Sequence, residues 1–155
     1  MANMIIGLEY LHKNKIIHRD MKPENMVFDS EGYLRITDMG ISREQREDNH
    51  QDTSGTPGYM SPEVICRKNH TFTADYFALG VMGYEFMLGR RPYVGKNRKE
   101  IRDQILAKQA MIKAEDLSSK WTPEAADFIN KVTPILLSFW LETQPTDWEP
   151  MASKR

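Results

Sequence analysis

The segment Thr73–Leu88 (TADYFALGVMGYEFML) is apolar around most of its circumference, and a helix of that kind has no face to give to water. It must therefore stand at the centre of its domain, and Gly80 and Gly83 within it mark places where a neighbouring backbone comes close. The chain available to cover this pillar is 155 residues long with 40% hydrophobic content. That suffices for one domain with a real core and is too little to expect two. The most apolar part of the segment, residues 76–88, is too short to cross a bilayer and contains Glu85.

The rest of the sequence supplies covering elements. Met4, Ile5, Leu8, Leu11 and His12 recur at helical spacing, which predicts an amphipathic helix over residues 2–14. Residues 25–29 and 33–37 read as two short strands joined by Ser30-Glu31-Gly32, good turn chemistry for a hairpin. Residues 38–63 carry Gly55, Pro57, Gly58 and Pro62 and read as one long loop, and residues 44–52 (EQREDNHQD) within it have no hydrophobic period. A loop of that length in a compact domain points to function. Residues 97–109 predict a surface helix opened by an Asn cap, and Thr122-Pro123-Glu124 opens another with a cap, a Pro and an acid in its first turn.

Charge and cysteine usage narrow the setting. Lys plus Arg number 21 against 22 acids, a net charge of −1, which creates no global field toward nucleic acid or anionic lipid. Neither nucleic acid nor a membrane is expected as a partner. The lone Cys66 cannot make an internal disulfide and fits a reducing compartment, the cytoplasm or the nucleus. The N-terminus shows no basic stretch followed by an apolar one, so no leader is expected. Cys66 and His70 stand four apart without further ligands, and Trp121, Trp140 and Trp148 read as packing or tail residues.

Chemistry concentrates between residues 17 and 25 (IHRDMKPEN), where one loop ahead of a strand carries Asp20, Lys22 and Asn25. Phosphoryl transfer asks a protein to orient a hydroxyl, to offset charge on the phosphoryl oxygens and to hold magnesium. An aspartate, a lysine and an asparagine match those three tasks. Asp38, at the end of the second strand and followed by Met39-Gly40, adds a carboxylate suited to magnesium.

HRDMKPEN, ITDMG, GTPGYMSPE and DYFALGVMGYEFMLGRRPY, in that order and spacing, resemble the protein kinase catalytic domain. The resemblance implies the C-terminal lobe of the protein-kinase fold, mainly α with a short β-hairpin, over residues 1–131, with residues 132–155 as a divergent tail. It implies ATP-dependent phosphorylation of serine or threonine in proteins, with ATP and Mg2+ as cofactors. Carried over residue by residue, Asp20 is the catalytic base, Lys22 contacts the transferring phosphate and Thr56, and Asn25 and Asp38 hold the metals. Lys22, Glu24, Asn25 and Asp38 form the nucleotide side. His18 and Met39 belong to a hydrophobic stack between lobes, and Asp75 braces the catalytic loop; taken by itself, Asp75 reads equally well as a helix cap.

The chain looks closest to the AGC-like, basophilic group. There an activating phosphothreonine lies four positions before the threonine of GTP, and here that position is Asp52, with Thr53 and Ser54 beside it as further phosphorylation candidates. Asp52 reads either as a fixed carboxylate that pairs with Arg19 or as an ordinary acid in a solvated run. Glu24 and Glu85 stand where the group recognises arginine ahead of the phosphorylated residue, so substrates with basic residues before Ser or Thr are expected.

The departures are as informative. No glycine-rich phosphate loop, strand lysine or partner helix glutamate is found, because Gly83, Gly89 and Gly95 do not form one. The N-terminal lobe is expected to be absent, to be supplied in cis or in trans, and the isolated chain is expected to be inactive. The resemblance implies an arginine after Lys131 that pairs with Glu63, but here Pro134 interrupts the last helix and the tail after Lys131 holds no arginine before Arg155. Met39 and Ser61 replace the usual phenylalanine and alanine without obvious cost. A second reading is a noncatalytic docking module working through residues 97–109, or a fragment without function.

Overall fold

The computed structural model describes residues 1–133, so the divergent tail expected over residues 132–155 lies almost wholly outside the described residues. Among the described residues, five α-helices and two small antiparallel sheets make a helix-rich unit. Helix α1 (Ala2–Lys13) buries Met4 and Leu8, one turn apart on a single face, and packs against strands β1 (Ile16–Ile17) and β3 (Leu34–Ile36). It ends where Lys15 turns to φ 58 and its N–H closes on the His12 carbonyl.

The pillar is helix α3 (Thr73–Leu88), with Phe77, Leu79, Val81 and Met82 buried on successive faces. It stops at Gly89, whose φ of 67 is a left-handed cap that residues with a Cβ adopt at a cost. Helix α5 (Pro123–Val132) lies directly on it, because Gly83 leaves no room for a methyl against Ile129. Each fully buried Leu, Ile, Met or Phe side chain contributes about 1.5–3 kcal/mol, and this central cluster also takes in Met21, Tyr59 and Tyr93 from the loops. Helix α4 (Arg98–Ala107) opens on Asn97, whose Oδ1 accepts from Glu100 N at 3.0 Å; α5 opens on Thr122, whose Oγ1 accepts from Ala125 N at 3.3 Å.

Strand β2 (Met26–Phe28) pairs with β3 in the register Met26↔Ile36, Val27↔Arg35 and Phe28↔Leu34, as the turn at residues 30–32 predicts. Asp29 fixes that turn by accepting from Glu31 N at 3.0 Å and Tyr33 N at 2.8 Å. The stretch 38–63 is not one continuous loop. Strand β4 (Arg43–Glu44) pairs with β1, Ile16↔Glu44 and Ile17↔Arg43; a 3-10 turn follows at Asn49–Gln51, and helix α2 (Pro62–Ile65) begins inside the range. Both β4 residues are exposed and polar, so no alternation betrays the strand. Among the described residues no helix is long and apolar enough to cross a membrane.

One buried charge stands out. Glu63, on α2, is 1% exposed, and among the described residues Thr73 Oγ1, at 3.3 Å, is the one side-chain hydrogen-bond donor to its carboxylate, leaving Oε2 without a hydrogen bond. No lysine or arginine pairs with it among the described residues. Burial pushes its pKa up. A carboxyl group raised in the folded state costs nothing below its unfolded pKa and destabilises progressively as pH rises through the folded value. Glu63→Gln should therefore stabilise the protein at pH 7 by about 1 kcal/mol, with the gain vanishing near pH 4, read as the difference in thermal midpoint between the two proteins. Equal midpoints at both pH values would show that Glu63 is compensated.

Candidate active site

The site is built on residues 17–25, a loop held from below by one carboxylate. Asp75, in the first turn of α3 and buried, accepts from His18 N at 2.9 Å and from Arg19 N at 2.8 Å, and its Oδ2 also meets His12 Nε2 at 2.8 Å. The side chain thus serves the loop and not the N-terminus of its own helix, where it makes no capping bond. The loop needs holding because Arg19 sits at φ 69, a left-handed conformation that costs a non-glycine residue of order 1 kcal/mol. His18 is fully buried, with Nε2 at 3.0 Å from the Thr37 carbonyl.

Beyond the bend, four side chains converge. Asp20 Oδ1 accepts from Thr56 Oγ1 at 2.6 Å, and Oδ2 accepts from Lys22 Nζ at 2.7 Å and Asn25 Nδ2 at 3.2 Å. Lys22 Nζ also donates to Thr56 Oγ1 at 2.9 Å. Burial disfavours the charged form of Asp20, but the bonds from Lys22, Thr56 and Asn25 outweigh it and hold the carboxyl below its ordinary range. It is ionised at neutral pH and able to accept a proton. Thr56 is brought within reach because Gly55, at φ 142, would otherwise place a Cβ 3.1 Å from the Arg19 carbonyl oxygen.

Asn25 spends its amide nitrogen on Asp20, 2.8 Å to the backbone oxygen, and its Oδ1 carries no hydrogen bond among the described residues. The hairpin places Asp38 beside it, since Thr37 N and Oγ1 donate to the Asn25 carbonyl at 2.9 and 3.1 Å. Asp38 stands at φ 62 with Oδ1 accepting from Gly40 N at 3.1 Å, and the residue is exposed. The buried Asn25 thus keeps a neutral oxygen without a hydrogen bond, and the exposed Asp38, one residue beyond Thr37, adds an anionic one.

Asp52 sits 3.0 Å from Arg19 Nη1 and accepts from Arg43 Nε at 3.3 Å. The Arg19 side chain is only 3% exposed and its Nε donates to the Ile41 carbonyl at 2.7 Å. The two arginines outweigh the desolvation of Asp52 and keep its pKa low. Thr53 is exposed and Ser54 half-buried. Glu85 is half-buried and accepts from Tyr59 Oη, whose pKa is raised first by burial and then by that carboxylate; Glu24 is exposed and adds to the same field. Met39 is 44% exposed and lines an open cleft of about 620 Å³ with Ile6, Tyr10 and Tyr33, whereas His18 lies beneath the surface.

Three participants escape the sequence reading: His12, Arg43 and Tyr59. All three lie in segments read for periodicity or loop composition, and only the i, i+3, i+4 face of α1 hints that His12 points inward. Because Asp75 holds two backbone amides by charge-assisted bonds, Asp75→Asn should lower hydrogen-exchange protection of the His18 and Arg19 amides by about 10- to 100-fold, with α3 protection retained. Unchanged protection would mean the loop holds its bend without the carboxylate.

The protein kinase domain family matches residues 1–142. Ribosomal protein S6 kinase alpha-1 of Rattus norvegicus is 43% identical over 108 residues, 68% of this chain and 15% of the relative; its Homo sapiens counterpart is 42% identical over the same span. Rhodopsin kinase GRK1 of Rattus norvegicus is 35% identical over 133 residues, 84% of this chain and 23% of the relative. The chain spans about 15% of the length of the S6 kinases it matches. Over the greater part of its length, then, the chain belongs to the protein kinase domain family, of the serine/threonine class and AGC type.

Proposed function

We propose that residues 1–133 are the large-lobe half of a serine/threonine kinase site and perform the acceptor side of phosphoryl transfer. The observation that carries this reading is the closed set of bonds among Asp20, Lys22, Asn25 and Thr56, with Asp38 delivered next to Asn25 by the hairpin. Asp20 orients the acceptor hydroxyl and takes its proton. That hydroxyl replaces one of the bonds now made to Asp20 by Thr56 or Lys22. Lys22 then offsets charge on the transferring group. The oxygens of Asn25 and Asp38 are hard donors of the kind Mg2+ takes, and few enough that water and phosphate must complete its shell. When bound, Mg-ATP supplies the phosphoryl group and the charge neutralisation that transfer needs.

The roof over the nucleotide is assigned to a segment outside this sequence, in the same polypeptide or another chain, because residues 1–155 hold no glycine-rich phosphate loop. Glu24 and Glu85 are proposed to receive basic residues ahead of the acceptor, supported by their joint effect on Tyr59. Purified 1–155 with Mg-ATP and an arginine-rich Ser/Thr peptide should transfer no phosphate above its Asp20→Asn and Asp38→Asn variants. Joined to the upstream half-domain of a relative it should become active, and Asp20→Asn should then cost about 10²- to 10⁴-fold in turnover. Turnover that survives Asp20→Asn would sink the assignment of the base.

Asp52 is proposed to hold the 38–63 segment against the catalytic loop through Arg19 without phosphorylation. It supplies less charge than the roughly −1.5 to −2 of a phosphate, so the hold is partial. Asp52→Ala should raise hydrogen exchange across residues 43–56 of the lobe-completed protein by about fivefold. Exchange equal to that of the parent would leave Asp52 an ordinary surface acid.

A further inference from the structure

The 38–63 segment and α4 enclose a cleft of about 240 Å³ whose polar lining is one-sided. Thr53, Pro57 and Met60 contribute from the segment, Arg98 and Arg102 from α4, and Arg67 from the turn after α2. Three arginines line it and no carboxylate does. Arg19, Arg35, Arg43, Arg46 and Arg90 each lie within ion-pair distance of an acid. The side chains of Arg67, Arg98 and Arg102 make no ion pair or hydrogen bond among the described residues.

That arrangement is unfavourable in the free protein. Arg98 and Arg102 are one turn apart on the same face of α4 and repel. Arg98 is also the first residue of the helix, where the dipole favours acids and disfavours cations. The nearby Glu100 gives no relief, since its carboxylate is taken by Lys96 N at 2.8 Å and Asn97 Nδ2 at 3.1 Å. An anion placed in the cleft would offset both penalties, and a guanidinium fork matches carboxylate and phosphate oxygens geometrically. Met60, Ile65, Ile101 and Ile105 line the same cleft and lower the local dielectric, which strengthens such a pair. The volume is below the roughly 300–1,000 Å³ of small-molecule pockets, and so suits one side chain.

The position decides whose side chain. Gly55 and Pro57, the two neighbours of Thr56, both line the cleft, and Thr56 is hydrogen-bonded to Asp20. We infer that this cleft is an anion subsite for the peptide substrate, receiving an acidic or phosphorylated side chain that follows the acceptor residue. The inference rests on the kinase reading above, in which basic residues ahead of the acceptor go to Glu24 and Glu85. The preferred polypeptide is then bipolar, basic before the acceptor and acidic after it.

The test is fluorescence anisotropy of labelled peptides on the full 1–155 chain, which needs no turnover. Peptides carry arginines before a serine and, after it, Glu, phosphoserine, Ala or Lys; a second set carries Glu before the serine instead. Glu or phosphoserine after the acceptor should tighten binding about three- to tenfold over Ala, more for phosphoserine, and Lys should weaken it. The difference should shrink with added salt and disappear in the Arg98→Ala/Arg102→Ala double variant, both being exposed positions. Equal affinities across the first set, no detectable binding of any peptide, tightening by Glu placed before the serine instead of after it, or tightening that survives the double substitution would each overturn the subsite. Acid-dependent binding without any benefit from the upstream arginines would keep the subsite and refute the assignment of Glu24 and Glu85.

Discussion

A single buried carboxylate ties the structure together. Asp75 belongs to the apolar pillar, yet it makes its bonds outward, to two backbone amides of the loop at residues 17–25 and to His12 of α1. Two neighbouring elements near the N-terminus thus meet α3, which is remote from both in sequence, at one side chain. Its own burial is tolerable because its oxygens are occupied, the condition under which a charge can leave water at acceptable cost. The bend at Arg19 follows from it, and the direction of Asp20 and of the Arg19 side chain follows from the bend.

Glu63 shows the opposite case within the same fold. It is buried as completely as Asp75, but it is met by one long hydroxyl contact and keeps an oxygen without a partner. The same chemical group therefore strengthens the fold at one end of α3 and weakens it at the start of α2. Burial alone does not decide the sign; the number and quality of the donors does.

The parts of the fold that were legible in the sequence are those set by strong local physics. The all-round apolarity of residues 73–88 gives α3 its limits, Asn97 and Thr122 announce α4 and α5, and Ser30-Glu31-Gly32 announces the β2–β3 hairpin. The β1–β4 pair was not legible, because its two-residue strands are far apart in sequence and Arg43 and Glu44 bury no face. In the site, Asp20, Lys22 and Asn25 could be grouped from one short loop, whereas Arg43 enters only through the fold that sets it beside Asp52. His12 and Tyr59 are likewise products of packing, each an amphipathic ring whose polar atom finds a carboxylate only once α3 is in place.

The pair between Arg19 and Asp52 has a consequence in time. Where a phosphate closes such a contact, one enzyme adds the charge and another removes it, so the contact has a history and can be reset. A carboxylate written into the chain is present from the moment of synthesis and no phosphatase can take it away. Arg19 and Arg43 remain engaged for the lifetime of the molecule, weakened only by protons or salt. The Arg19–Asp52 pair itself is thus a fixed contact that no modifying enzyme resets.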